Sequence, residues 1–388
     1  LFISFLKIMS KTFVLAPDSF KESMTAEQAC QAMQRGIQKI FTDAHFIHVP
    51  MADGGEGTVD ALVSCLNGQR IDCEVTGPLS TQKVKTYFGL IDDGQTAVIE
   101  MAKANGIHLL EPSQRNPLLT TTFGTGEMIK AALDLGVSKI IIGLGGSITN
   151  DAGAGMAQAL GAKFLDAHRS EVAVGGGQLD QIRMIDISGL DARLKQVEIT
   201  IASDVDNPLT GINGASYVFG PQKGATPEMV QQLDQNLAHF AELVSKQLNI
   251  NVKDIAGAGA AGGLGFGLMV FAGASIRSGV ELVIEHTQLA EKIAQADYVF
   301  TGEGGIDFQT KFGKTPFGVA QVAKRLNKPV IACSGYIGEG IEELYEEGFT
   351  AIFGIVDGAC DLPTALENGE KNLERTCEAI ARILALNS

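Results

Sequence analysis

The sequence lacks an apolar run long enough to span a bilayer, a CxxC pair, any histidine spacing of the metal-ligand kind and an excess of basic residues. Each absence closes a class. A membrane-spanning helix needs about 20 consecutive apolar residues, and none is found. Six scattered cysteines (Cys30, Cys65, Cys73, Cys333, Cys360, Cys377), several on apolar faces of elements, read as buried free thiols in a reducing compartment, not as a disulfide framework or zinc site. A net charge of −15 argues against nucleic acid or an anionic membrane surface as the main partner. It leaves room for a small anion held by a few local cations and backbone N–H groups. Internal repeats and low-complexity linkers are missing too.

What the chain has in excess is glycine, 46 of 388 residues, in clusters without a period. A chain of this length exceeds what one core usually organises, so two domains are expected. The opening LFISFLKI is too short for a signal peptide and has no cleavage pattern. Met9, followed by SKTFVLAP, reads as the natural beginning, with residues 1–8 as an N-terminal extension.

Both ends of the chain alternate short apolar strands with amphipathic helices. Thr12–Ala16 and Phe46–Pro50 read as strands, and a helix follows Thr25, with Gln28 completing a capping box. Near the C-terminus Ala296–Phe300, Pro329–Cys333 and Ala351–Ile355 read as strands, with a helix from Pro316 between the first two. The middle differs: Cys73–Gly77, Val84–Ile91 and Ala97–Met101 suggest an antiparallel excursion. A helix is then expected near Glu127, a strand at Val197–Ala202 and a helix near Pro227, capped by Thr226. The fold class expected is α/β with two domains. Residues 10–75 and 285–388 form a discontinuous Rossmann-like parallel domain, and 76–284 form an inserted α/β domain.

The most informative stretch is KIIIGLGGSITNDAGAG at Lys139–Gly155. Ile140, Ile141 and Ile142 suit a strand buried on both faces. Gly143, Gly145 and Gly146 then let the backbone turn sharply, and a small-residue helix is expected from about Ala152. A helix start leaves N–H groups that attract anions. Taken alone, this is equally a tight strand-to-helix turn with Asn150 or Asp151 as N-cap. Four further strand-end loops share its character. They hold Asp18, Ser19 and Lys21; Asp53, Gly54, Gly55 and Glu56; Asp204, Asp206 and Asn207; and Glu303 and Asp307. Each alone is a solvated turn or cap. Together they supply the parts of a phosphoryl-transfer site, at the strand ends where open α/β sheets place ligands.

Two familiar motifs fail. GAGAAG at Gly257–Gly262 has the dinucleotide-binding pattern, but NINVKDIA before it makes a poor strand. GKT at Gly313–Thr315 lacks the upstream glycine of a P-loop, since Phe308 stands there. Thr315 is nonetheless expected to cap a helix beginning at Pro316, with Lys314 beside its positive end.

APDSFKES, VPMADGGEGTVDAL, TGPL, AVIEMA, RNPLLTTTFGTGE, GGSITNDAGAGMAQALG, SDVDNPLTG, VFGPQKGATPE, GAGAAGGLG, TGEGGID and GKTPFGVA, in this order, resemble the bacterial glycerate kinase family of the type that phosphorylates D-glycerate. The likeness runs from Lys11 to the C-terminal helix. Two departures are Ile148, where a small residue is expected, and Gly305, where arginine is frequent. The resemblance implies a two-domain kinase using ATP and Mg²⁺, with D-glycerate as its small-molecule partner and 2-phosphoglycerate as its product. Relatives work in glucarate, galactarate and glyoxylate catabolism. A cytoplasmic setting and a homodimer are the corresponding expectations, with neither nucleic acid nor membrane as partner.

The expected site is a cleft between the domains. Asp204 and Asp206 are the candidates for metal binding or hydroxyl activation, because adjacent carboxylates at a strand end favour a divalent cation. Lys21, Lys223, Lys314 and Arg277 are candidates for the phosphates and the substrate carboxylate. Gly145, Gly146, Ser147, Asn150 and Asp151 are expected to cradle an anionic group. Phosphorylation at the 3-hydroxyl, an NAD-dependent hydroxyacid dehydrogenase resting on GAGAAG, and a non-catalytic metabolite sensor are the alternatives.

Overall fold

Short runs of branched apolar residues build the strands. In chain order these are β1 (Thr12–Leu15), β2 (His45–His48), β3 (Gln69–Thr76), β4 (Lys83–Ile91), β5 (Thr96–Glu100), β6 (Lys139–Gly143), β7 (Lys163–Leu165), β8 (Met184–Asp186), β9 (Glu198–Ala202), β10 (Ser275–Arg277), β11 (Tyr298–Ile306), β12 (Val330–Ile337) and β13 (Ala351–Gly354). The computed structural model describes residues 10–387, so the extension expected at 1–8 and the start at Met9 lie outside the described residues. The described chain is mixed α/β and divides into two compact units, residues 10–53 with 280–387 and residues 54–279.

The first unit is built on a parallel five-stranded sheet in the order β13-β12-β11-β1-β2. Phe13 on β1 is wholly buried, and its ring stacks on Phe46 and Tyr298 of the neighbouring strands. Burying a side chain of this kind contributes about 1.5–3 kcal/mol. The helix Ala26–Gln38 starts on the expected capping box, with Thr25 and Gln28 exchanging bonds. It meets the helix Gly369–Leu384 at Gly36, where a methyl group would stand 2.2 Å from the Glu374 carbonyl oxygen. Arg35 and Lys39 pair with Glu370, Glu374 and Glu378 along this seam.

The second unit holds a six-stranded sheet in the order β10-β9-β6-β5-β4-β3. The excursion is antiparallel as expected, β3 with β4 and β4 with β5, while β5, β6, β9 and β10 run parallel. Thr226 caps the helix Pro227–Leu248 by accepting from Met229 N–H, and Leu233, Leu237, Phe240 and Val244 are buried on its inner face. Phe240 meets Phe164 of β7 edge-on at 5.2 Å between ring centroids.

Several expectations are corrected. The first unit ends at Asp53, not at 75, because β3 pairs with β4 and the helix Thr58–Cys65 packs against the same sheet. Its second boundary falls at Val280 instead of 285. The helix expected near Glu127 begins at Phe123. TGEGGI, read as a loop, is extended through Ile306 because it pairs in register with SGYI of β12: Glu303 with Ser334, Gly305 with Tyr336, Ile306 with Ile337. No helix of the described residues is long and apolar enough to cross a membrane. No disulfide is found among the six cysteines, all of which are described residues; Cys30, Cys333 and Cys377 are buried and Cys360 is exposed.

Candidate active site

In the first unit the sheet order decides where a ligand can enter. β1 has β2 on one side and β11 on the other, so the connection after β1 runs to β2 while the one after β11 runs the opposite way, to β12. Such a switch point opens a crevice at the carboxyl ends of the strands. Leu15 and Phe300 are the last residues paired between β1 and β11. Asp18 and Glu303 each stand three residues further on, and Asp18 N–H donates to Gly302 O at 2.8 Å. Asp53 arrives from the loop after β2, whose Met51 N–H bonds Pro17 O at 2.9 Å.

The crevice gathers like charge. Asp18 is 9% exposed. Its Oδ1 accepts from Ser19 N–H and its Oδ2 from the Thr315 hydroxyl. Burial, then the charge of Asp53, pushes its carboxyl up to about 7, against the pull of Thr315, Ser19 and Lys21. Burial likewise pushes Glu303 up to about 7, with Asp18 and Asp53 adding to the rise and Lys314 opposing it. Oε1 of Glu303 is buried without a hydrogen-bond partner. Lys314 Nζ lies 3.5 Å from it, an ion-pair distance, and spends its hydrogen bond on Gly305 O at 3.1 Å.

Thr315 was expected to cap a helix starting at Pro316. The helix is Thr315–Arg325, Lys314 occupies the cap position without a side-chain bond to the helix start, and the Thr315 hydroxyl serves Asp18. Asp307 stands apart from this group, capping the short turn Phe308–Lys311 through Gln309 N–H. Lys21 is exposed and acts on Asp18 through its charge.

In the second unit the glycine turns touch backbone to backbone. A methyl group at Gly143 would lie 2.2 Å from Gly54 O, one at Gly145 2.7 Å from Gly55 Cα, and one at Gly54 2.7 Å from Ala202 O. On another side, Gly262 approaches Thr149 O and Gly267 approaches Gly153. Gly262 closes GAGAAG, a stretch that no strand directly precedes. The dinucleotide reading therefore has no structural context here.

The helix after the loop does not offer its N–H groups to an outside anion. It spans Ala154–Ala159, with left-handed Gly153 at its cap, so the expected start at Ala152 with Asn150 or Asp151 in the N-cap position is corrected. Asp151 is wholly buried and accepts from Gly153 N–H, Gly155 N–H, Thr122 N–H and the Thr121 and Thr122 hydroxyls. Burial pushes its carboxyl up while these donors oppose the rise. The anion that the helix start attracts is the protein's own carboxylate, so Asp151 is a scaffold and not part of a ligand cradle. Asn150 is also buried; its Oδ1 accepts from Ser216 and its Nδ2 has no partner. Lys223 is buried under the loop, donating to Ser147 Oγ at 2.8 Å and Thr149 O at 2.7 Å. Burial lowers its pKa to about 7, with Asp151 pulling the other way. Gly145 and Gly146 are the exposed part of the turn.

Asp204 and Asp206 are both exposed on the loop after β9. Arg277 ends β10 beside them, its carbonyl accepting from Ser203 N–H at 3.1 Å. Asn207 is taken up inside its loop, donating to Asn213 O at 2.8 Å. No group of three His, Cys, Asp or Glu residues among the described residues is arranged to hold a metal. Sequence reasoning missed Glu100, buried at the end of β5, which accepts from Val59 N–H at 2.7 Å and closes the start of the helix Thr58–Cys65. Its signal was available: in AVIEMA the apolar run Ala97–Ile99 ends on a carboxylate. Thr120–Thr122, also missed, shows as a threonine run just before a helix.

The glycerate kinase family model matches residues 13–385. A glycerate kinase of Haemophilus influenzae is 52% identical over 96% of this chain and 98% of its own. The glycerate 2-kinase of Escherichia coli is 49% identical over 96% and 98%. A crystal structure of a candidate glycerate kinase 2 from Salmonella typhimurium LT2 shares 48% identity over 97% of this chain and 99% of that one, with a TM-score of 0.87. With likeness of this extent along the described length, the chain belongs to the glycerate kinase family.

Proposed function

We propose that this protein transfers the γ-phosphoryl group of ATP to the 2-hydroxyl of D-glycerate, giving 2-phosphoglycerate and ADP. The observation carrying this is family membership over nearly the whole chain, with a relative named glycerate 2-kinase at 49% identity. A kinase family implies ATP as donor. The strand-end loops are suited to the task, because phosphoryl transfer asks a protein for positioning and charge stabilisation above all.

Mg²⁺ is the expected metal. It is commonly held by one or two carboxylates together with substrate phosphates. The exposed pair Asp204 and Asp206 fits that manner of binding. Bound there, the ion would neutralise phosphate charge. Lys21, Lys314 and Arg277 are assigned to phosphate or substrate carboxylate, and Gly145 and Gly146 to backbone contacts with the nucleotide. Ser147, Asn150 and Lys223 position that turn from beneath, and Ser19, Asp53, Gly54 and Gly55 shape their own strand-end loops. A cytoplasmic enzyme of organic-acid catabolism, assembled as a homodimer, completes the reading.

ADP release is measured with ATP and Mg²⁺, with and without D-glycerate. Release only with D-glycerate supports the reading, and substrate binding without release would favour a metabolite sensor. NADH oxidation with hydroxypyruvate would favour the dehydrogenase. Asp204→Ala is expected to lower turnover at least 100-fold; survival within a few-fold removes Asp204 from the mechanism.

A further inference from the structure

Glu303 is a half-buried carboxylate, ion-paired with Lys314 but with one wholly buried oxygen that no hydrogen bond satisfies. Asp151 and Glu100, the fully buried acids of the other unit, are met by internal donors. Glu303 has a buried oxygen with no hydrogen-bond partner, at the switch point between β1 and β11. A native structure seldom leaves such an atom without a reason. It faces Lys314 from the start of the helix Thr315–Arg325, Asp18 from the loop after β1 and Asp53 from the loop after β2. Lys314 holds it at ion-pair distance, and Asp18 is itself fixed by Thr315 and Ser19.

Resting on the kinase reading above, we propose that Glu303 is the catalytic base, its carboxylate at the mouth of the switch point accepting the proton of the substrate hydroxyl. The hydroxyl O–H bond breaks and its proton passes to Glu303. The alkoxide oxygen forms a bond to the γ-phosphorus, and the bond to the β,γ-bridging oxygen breaks, its electron pair leaving with ADP. Asp18 is a positioning residue that acts through Glu303, since its negative charge raises the affinity of Glu303 for a proton. A base is most effective when it titrates near the working pH, and general-base catalysis contributes about 10²–10⁴-fold.

The test compares pH profiles of kcat for the wild type, Glu303→Gln and Asp18→Asn, with ATP, Mg²⁺ and D-glycerate. The wild-type rate should rise with pH through a limb near 7. Glu303→Gln should lose about 100-fold or more in kcat, together with that limb. Asp18→Asn should move the limb to lower pH, because a charge opposing ionisation has gone. Glu303→Gln retaining turnover within about threefold, or retaining the limb, overturns the proposal, as does Asp18→Asn leaving the limb in place or moving it upward. A wild type that releases no ADP with D-glycerate defeats the kinase reading and the proposal together. An active wild type with a fully active Glu303→Gln variant defeats the proposal alone.

Discussion

Glu303→Gln should make the protein more stable at pH 8, and the gain should vanish in acid. The folded protein pushes this carboxyl from 4.5 up to about 7. Between those values the native state keeps a proton that the unfolded chain has released, so stability falls as pH rises through the window. Above pH 7 the full penalty stands. At about 1.36 kcal/mol per pKa unit, the shift corresponds to a ceiling of about 3.4 kcal/mol. The side chain is 16% exposed, and the substitution gives up the attraction of Lys314, so about 1–3 kcal/mol is expected. Its Oε1 has no hydrogen bond to lose. The protein has no tryptophan, so urea unfolding is followed by far-UV circular dichroism at constant ionic strength. The stability difference between variant and wild type should grow by at least about 1 kcal/mol from pH 4.5 to pH 8. A difference that is flat with pH, or a variant that becomes relatively less stable as pH rises, would refute the reasoning.

Gly143→Ala should cost about 1–3 kcal/mol, because its methyl group would stand 2.2 Å from Gly54 O, whereas Gly358→Ala, with nothing within 4 Å, should be near neutral; urea midpoints separate the two. Asp151→Ala should destabilise the protein by about 3 kcal/mol or more, since several buried donors are orphaned together, and thermal unfolding measures it. Gly36→Ala should lower the melting temperature by prying the helices Ala26–Gln38 and Gly369–Leu384 apart at the Glu374 carbonyl.

What could be read from the chain was local. Thr25 with Gln28, and Thr226 before Pro227, announce helix starts because the cap bonds span only a few residues. The α/β class and the antiparallel middle follow from apolar runs and turns. TGEGGI could not be read as a strand, because its extended form depends on pairing with β12. The Asp53 boundary likewise depends on which sheet receives β3. At the site, residue types were legible but their obligations were not. Asp151 looked like part of an anion cradle, yet the structure spends its carboxylate on its own helix start. Thr315 looked like a cap and turns out to hold Asp18. Such distinctions turn on which donors lie within about 3 Å, and spacing along a chain does not encode that distance.

The most direct measurement is ³¹P NMR of the product formed from ATP, Mg²⁺ and D-glycerate. The 2-phosphoglycerate signal, growing together with ADP, is the expected result. A 3-phosphoglycerate signal, or no phosphoglycerate at all while the protein remains folded, would contradict it.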